Sequence, residues 1–429
     1  MALEGNQTFV GFGFGPIQTG LFLYEAYHSG NFRRLVIAEV LPEVVAAVRG
    51  NHGRFSLNVA HARGVESSTL GPIEMYDPAV EDDRKQLVAA IREAAEVATA
   101  VPSADSYRAA GPGSLHELLA RGLEERQGKP ALIYAAENHN RAAEILREAV
   151  LEECDAKTRG VRSSLREKGR FVNTVIGKMS GVVSDDVQIE SRGIVRLTPS
   201  AERAHLVESF NRILIESPMA DGGTECDRGI SVFEEKSDLL PFEEAKLYGH
   251  NAAHALAAYL AALCGLSRMN DLAKRRDILD FVRQAFLEES GNALIHRYAG
   301  QDPLFTREGY ASYTDDLVER MINPHLGDLV SRVTRDPERK LGWNDRLVGT
   351  MRLAVAAGVR PQRFAVGVAA ALIHLRPQIV DGRSEARGVL SPIWKRENPA
   401  PAEAEEILAL IEEGMSRLRN EGWPEREKG

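Results

Sequence analysis

A strand, a glycine turn and a helix follow one another at the start of this chain, and that unit limits the folds open to everything after it. Thr8-Phe-Val-Gly11 is a short apolar run that reaches Gly13-Phe-Gly15-Pro16-Ile17-Gln18-Thr-Gly20, and Leu21-Phe-Leu-Tyr-Glu-Ala-Tyr27 then reads as a helix. Glycines at such a turn let the backbone approach a pyrophosphate, which rests on the positive end of the following helix. Gly13, Gly15, Pro16, Ile17 and Gln18 are therefore the expected phosphate loop. Gln18 stands where the usual fingerprint has its third glycine, and Gly20 follows two residues on. The next strand, Arg34-Leu-Val-Ile-Ala-Glu39-Val40, ends in an acid. A carboxylate there accepts hydrogen bonds from a ribose and repels a 2′-phosphate, so the expected cofactor is NAD rather than NADP.

The alternation continues with a helix from residue 87, a strand over 96–101, a helix over 114–127 with Ser114 as its cap, and a buried strand over 130–138. That strand ends in Glu137-Asn138. Open α/β sheets take their ligands at strand C-termini, so Asn138 is either an active-site amide or a turn residue capping the next helix. Strand-like pieces at 188–190, 193–197 and 212–216 read as completing or extending the sheet. Beyond about residue 240 the strands give way to helical segments at 243–265, 269–288, 308–322, 345–357, 361–375 and 402–419. The expected fold is an α/β Rossmann-type parallel-sheet domain over residues 1–240, binding NAD, followed by a mainly α-helical C-terminal domain over residues 241–429 for substrate and catalysis. The active site is expected between them.

The bulk properties close off other classes. With 53 basic and 62 acidic residues the formal net charge is −9, which argues against a nucleic-acid partner. No apolar run is long enough for a membrane span, and no basic segment precedes the first strand as in a signal peptide. Cys154, Cys226 and Cys264 are too scattered for a zinc motif or a disulfide framework, which favours the cytoplasm. The expected assembly is a monomer or a homodimer.

The second half carries the chemistry. Lys246-Leu-Tyr-Gly-His-Asn251-Ala-Ala-His254 brings an amine, an amide and an imidazole together. On an α-helix Asn251 would lie about 140° round from Lys246 and His254 about 80°, so all three can line one side of a cleft. A lysine with a lowered pKa takes a proton from an alcohol, and an amide N–H steadies the alkoxide left behind. That is equipment for metal-free alcohol oxidation. His250 and His254 lack the Glu or Cys partner of a zinc motif, and no metal is expected. Farther on, Arg332, Arg335, Lys340 and Arg346 crowd into the stretch that opens at Asp328. In an acidic chain they clamp a phosphate, a carboxylate or hydroxyls, or else they form a salt-bridged turn between helices.

Together these pieces resemble the polyol-specific long-chain dehydrogenases, the family of mannitol-1-phosphate 5-dehydrogenase and mannitol 2-dehydrogenase. The shared elements are the glycine turn, Ala38-Glu39-Val40, Thr99-Ala-Val-Pro-Ser103, Glu137-Asn138, the Lys246, Asn251 and His254 element, Arg335-Asp-Pro-x-Arg339-Lys340-Leu and Asp345-Arg346-Leu. They follow the family's order over nearly the whole chain. The resemblance implies a metal-independent enzyme that interconverts a sugar alcohol and a ketose with NAD, with mannitol 1-phosphate and fructose 6-phosphate as the leading pair. A free polyol or a hexonate is the alternative substrate, and a non-catalytic sensor of NAD and sugar phosphate the alternative function. By the same likeness Lys246 is the general base, Asn138 and Asn251 hold the reacting oxygen, His254 orients a hydroxyl, and Arg332, Arg335, Lys340 and Arg346 gather the distal end of the substrate. The chain departs from the pattern at Gln18, at Ala136 where the family often has cysteine, and at Gly177-Lys178 where it tends to have an acid followed by arginine.

Overall fold

A computed structural model describes residues 5–109, 111, 113–157, 167–219, 226, 228–379 and 383–420. Two compact units divide the chain, Met1–Leu240 and Pro241–Gly429.

The first unit is built on strands β1 (Gln7–Phe12), β2 (Phe32–Ala38), β3 (Phe55–His61), β4 (Gly64–Leu70), β5 (Glu74–Tyr76), β6 (Glu96–Thr99), β7 (Ala131–Ala135), β8 (Gly169–Ile176), β9 (Ser180–Val183), β10 (Ala204–Glu208), β11 (Ile213–Glu216) and β12 (Glu234–Lys236). Among the described residues the main sheet runs β12-β11-β8-β7-β6-β1-β2-β5, parallel except where β11 meets β8. Its central strands are apolar on both faces because both faces are covered. Phe9, Ile37, Leu132 and Tyr134 enter one buried cluster, while Val10, Val36, Val97 and Ile133 enter another. Helices α1 (Leu23–Ser29) and α2 (Pro42–Gly50) pack on the first face through Leu23, Ala26, Val44, Val45 and Val48. Helices α3 (Glu81–Glu93) and α4 (Leu115–Glu125) cover the second face through Leu87, Ile91, Leu118 and Leu123. Helix α5 (Ala142–Lys157) adds Leu146 and Val150 there.

Beside the main sheet a second one runs β4-β3-β10-β9. Three local expectations are corrected. Residues 186–191 form a helix, because Asp185 accepts a hydrogen bond from Gln188 N at the helix start. Residues 193–197 run beside β3 without joining it, since the Asn58 amide bonds both Val195 N and Val195 O in place of a strand neighbour. At α4 the Ser114 hydroxyl turns to His116 Nδ1, at 3.0 Å, and leaves the helix N–H groups uncapped by a side chain.

The second unit is helical. Two of its helices carry a wide turn of the i→i+5 type in mid-course: Ala245–Asn251 lies between Leu240–Glu244 and Ala252–Leu263, and Ala285–Gly291 lies between Arg276–Gln284 and Asn292–Arg297. The expected helix over 269–288 is broken at Arg275, whose backbone (φ −116°, ψ 71°) separates the tight turn Met269–Lys274 from Arg276–Gln284. The polar stretch after Arg383, expected to be a tail before one last helix, contains the helix Arg383–Trp394. Trp394 anchors it, buried against Trp343 and donating from Nε1 to Leu341 O at 2.8 Å. Among the described residues no helix is long and apolar enough to cross a membrane.

Candidate active site

In the first unit the parallel register sets the site. Ala38, Phe12, Thr99 and Ala135 are partners at the ends of β2, β1, β6 and β7. Glu39, Gly13, Ala100 and Asn138 therefore emerge along one edge, the edge at which such sheets bind ligands. Gly13 has φ +82°, and a Cβ there would fall 2.7 Å from Ala100 O, so only glycine makes this turn without strain. Above Gly15 the space is open, with no atom within 4 Å of where a Cβ would sit. Pro16 and Ile17 begin the helix, and the first N–H groups of a helix have no partner within it, as an anion site requires.

The Gln18 departure is compensated locally. Its side chain is fully buried and lies over Gly11, where any Cβ on the strand would strike the Gln18 amide. Gly20 restores the close helix approach, since a Cβ there would strike Val207. The lost glycine has been exchanged for two others, one in the strand and one further along the helix. Beside it Thr19 bonds His205 Nδ1 at 2.9 Å, and burial together with Arg203 pushes the His205 pKa down to about 3.

Glu39 is buried, and its two oxygens accept from Phe14 N at 2.7 Å and Leu41 N at 2.9 Å. The carboxylate expected to meet a ribose thus also laces the glycine turn to the end of β2. Each oxygen keeps a lone pair for a further donor. At the end of β7 the Glu137 carboxylate, raised in pKa by burial, accepts from Thr99 Oγ1 at 2.8 Å, Val101 N at 2.9 Å and the Tyr107 hydroxyl. It ties the segment that leaves β6, residues 99–107, to the end of β7 directly before Asn138, which is exposed. The second departure places a buried cation in the fold: Lys178 donates to Phe210 O at 2.9 Å and to Asn211 Oδ1 at 2.5 Å.

In the second unit the wide turn Ala245–Asn251 changes the expected geometry. With i→i+5 bonding, Asn251 stands about one turn above Lys246 instead of about 140° away. Gly249 sits inside that turn because a Cβ would strike the Tyr310 hydroxyl and the Phe286 ring. Burial, then Arg346, lowers the Lys246 pKa from 10.5 to about 8. Burial first, and then the Arg320 guanidinium, push buried His250 well below the usual imidazole range. His254 Nε2 lies 3.5 Å from Asp328 Oδ2.

The basic stretch separates into different roles. Arg332 grips Asp328 with two bonds, Nε to Oδ1 at 2.6 Å and Nη2 to Oδ2 at 2.7 Å. Such charge-assisted bonds contribute roughly 1.5–3 kcal/mol each, so Arg332 is not a loose side chain awaiting an anion. Arg346 is paired with Asp345 at 2.8 Å, and exposed Arg335 reaches only the Arg332 carbonyl, at 3.2 Å. Lys340 differs. It is 4% exposed, and among the described residues no carboxylate lies within ion-pair distance of its amine. Burial, Arg346 and Arg339 lower its pKa to about 8. Asp328 as the partner of His254 was not legible in the sequence, because 254 and 328 are far apart and carry no motif together.

Over residues 238–414 the chain matches the family described as Mannitol dehydrogenase C-terminal domain. It is 30% identical over 344 residues to the mannitol-1-phosphate 5-dehydrogenase of Bacillus licheniformis, covering 79% of this chain and 80% of that protein. The enzyme of the same name from Aureobasidium melanogenum is 26% identical over 404 residues, or 93% of each chain. Among solved structures, a substrate-free D-sorbitol dehydrogenase superposes with a TM-score of 0.75 at 14% identity, over 98% of this chain and 95% of that one. The Pseudomonas fluorescens mannitol 2-dehydrogenase ternary complex with NAD and D-mannitol superposes with a TM-score of 0.70 at 17% identity, over 98% and 94%. These two likenesses establish the fold: a Rossmann-type unit followed by a helical one.

Proposed function

We propose a function from one premise: the chain belongs to the mannitol dehydrogenase family. It is an NAD-dependent polyol dehydrogenase, which interconverts a sugar alcohol and a ketose. The substrate pair we assign is mannitol 1-phosphate and fructose 6-phosphate, and the general acid and base we assign is Lys246.

The observation that carries the mechanism is the position of the Lys246 pKa, at about 8 in a half-buried turn. Near pH 7 about one lysine in ten is then neutral, against about one in three thousand for an unshifted amine. A neutral Lys246 takes the hydroxyl proton as the alcohol is oxidised, and returns it in the reverse direction. Asn251, about one turn away, donates its amide N–H to the developing alkoxide. Asn138 keeps the role of a second amide that the resemblance implies. The residues of the glycine turn fit NAD: the open space at Gly15, the helix start at Pro16 and Ile17, and Glu39 with lone pairs to spare. When bound, NAD supplies the hydride acceptor. Glu39 and the neighbouring exposed Val40 take the adenosine end, and Gly13, Gly15, Pro16, Ile17 and Gln18 shape the phosphate loop.

The phosphate branch is favoured by Lys340, a buried amine without a carboxylate partner among the described residues, with Arg335 exposed nearby in the chain. Arg332 and Arg346 keep a substrate role only through the donors their acidic partners leave unused. We place the enzyme in the cytoplasm on its sparse cysteines, as a monomer or homodimer.

The test follows NADH consumption with fructose 6-phosphate, fructose and hexuronates, in wild type and Lys246→Ala. The expected outcome is preference for fructose 6-phosphate and a loss of about 10²–10⁴-fold in kcat without Lys246, with NADH binding retained. Activity that survives the substitution removes Lys246 from its role. Preference for fructose or a hexuronate selects the other substrate, and no consumption with any of them selects the sensor.

A further inference from the structure

His254 approaches the active-site turn with one nitrogen already committed. Nε2 is buried and among the described residues has no hydrogen-bond partner at ordinary distance, and the acceptor it faces is Asp328 Oδ2 at 3.5 Å. A lone pair on Nε2 would face a carboxylate at that distance, whereas an N–H would be attracted to it. Catalytic hydrogen bonds are often long in a ligand-free protein and tighten on binding. Asp328 is itself held firmly. Its backbone is locked by Met269 N donating to Asp328 O at 2.9 Å and by the antiparallel bridge between Arg268 and Leu329. Its carboxylate is 7% exposed and gripped by both Arg332 bonds. The neighbouring Arg332 and His254 outweigh burial and hold its pKa well below the usual carboxylate range.

We propose that Asp328 is a positioning residue that holds a His254 proton on Nε2, leaving Nδ1 as the acceptor for a substrate hydroxyl. The role rests on the polyol dehydrogenase reading, although the tautomer itself does not. Arg332 is the outer member of the chain Arg332, Asp328, His254: it sets the carboxylate plane, and so acts on the substrate through the imidazole. A carboxylate that orients an imidazole through one nitrogen while the other does the work is a recurring device of active sites.

Asp328→Asn makes a sharp test. Arg332 still demands an oxygen at the Oδ1 position, so the amide NH₂ is left facing His254 Nε2 and asks for the opposite tautomer. Nitrogen NMR of the full-length protein, with the His254 signals assigned by their loss in His254→Gln, reads the protonation of each ring nitrogen directly. The expected wild-type spectrum shows Nε2–H, and the variant shifts toward Nδ1–H. In parallel, kcat for fructose 6-phosphate reduction should fall about 10–100-fold in Asp328→Asn, with KM for NADH unchanged and the thermal midpoint within a few degrees. Asp328→Glu should recover part of the loss. A wild-type ring carrying its proton on Nδ1, or a well-folded Asp328→Asn with undiminished kcat, overturns the proposal. A wild-type Nε2–H ring in a protein that oxidises NADH with no ketose supports the tautomer and removes the polyol reading.

Discussion

The two units prepare for their ligands in opposite ways. In the first, the candidate cofactor site is made of backbone: a glycine turn at φ +82°, open space at Gly15, and a Glu39 carboxylate already tied to Phe14 N and Leu41 N. Two of its buried titratable groups, His205 and Glu137, are held by Thr19, Thr99, Tyr107 and Val101 and serve the fold. In the second unit the site is made of side-chain charges pushed from their ordinary protonation: Lys246 and Lys340 near 8, His250 and Asp328 held low. Recognising a constant cofactor needs shape, which backbone supplies cheaply. Moving a proton needs a poised amine, and poise comes only from burial and neighbouring charge.

Substitutions sharpen that contrast. The largest effect belongs to Lys246 and is read as a pH profile. The amine is protonated below about 8, so kcat/KM for polyol oxidation should rise with pH and level off above that value, while ketose reduction should fall. Lys246→Ala should flatten both limbs; an inflection near 8 that persists would assign it to another group. Next, Lys340→Met should raise KM for fructose 6-phosphate about 10–100-fold and change KM for fructose far less, as expected for one lost charge-assisted contact of about 1.5–3 kcal/mol. Equal effects on the two sugars would make Lys340 a packing residue.

In the first unit, Glu39→Ala should shift the NAD to NADP preference about tenfold toward NADP and also lower the thermal midpoint, because two backbone N–H groups lose their acceptor. A pure change of preference at constant stability would contradict the lacing seen here. The last effect is on stability rather than on catalysis and appears in acid. Free histidine takes up a proton near 6.5 and folded His205 only near 3, so the unfolded state binds the extra proton between those values. Stability is therefore complete above about 6.5 and is lost as pH falls toward 3, by at most about 1.4 kcal/mol per pH unit. His205→Gln should flatten that slope in denaturant titrations. An unchanged slope would place the acid lability elsewhere.

Much of the active site was legible because its parts are local. Strand, turn and helix at 8–27, the acid at Glu39 and the run from Lys246 to His254 each lie within one short segment. The angular relation inside that run was not legible, because nothing in the sequence distinguishes an α-turn from the wider turn at Ala245–Asn251, and the α geometry misplaced Asn251 relative to Lys246. The helix Arg383–Trp394 was missed for a related reason: its sequence is mostly polar, and only a narrow stripe of Ala386, Leu390 and Trp394 docks it. The basic stretch read as one cluster, yet only pairing with acids elsewhere separates Arg332 and Arg346 from Lys340.

What the sequence by itself determined was the order of elements and the inventory of reactive groups, because hydrophobic period, glycine turns and acid placement are properties of neighbouring residues. Tertiary structure alone decided which of those groups is poised and which is merely paired. Burial and the approach of charges from distant segments, such as Asp328 toward His254, arise only when the chain is packed. The same packing found room for Gln18 over Gly11, so that a residue which looked like a defect in the fingerprint became part of the core.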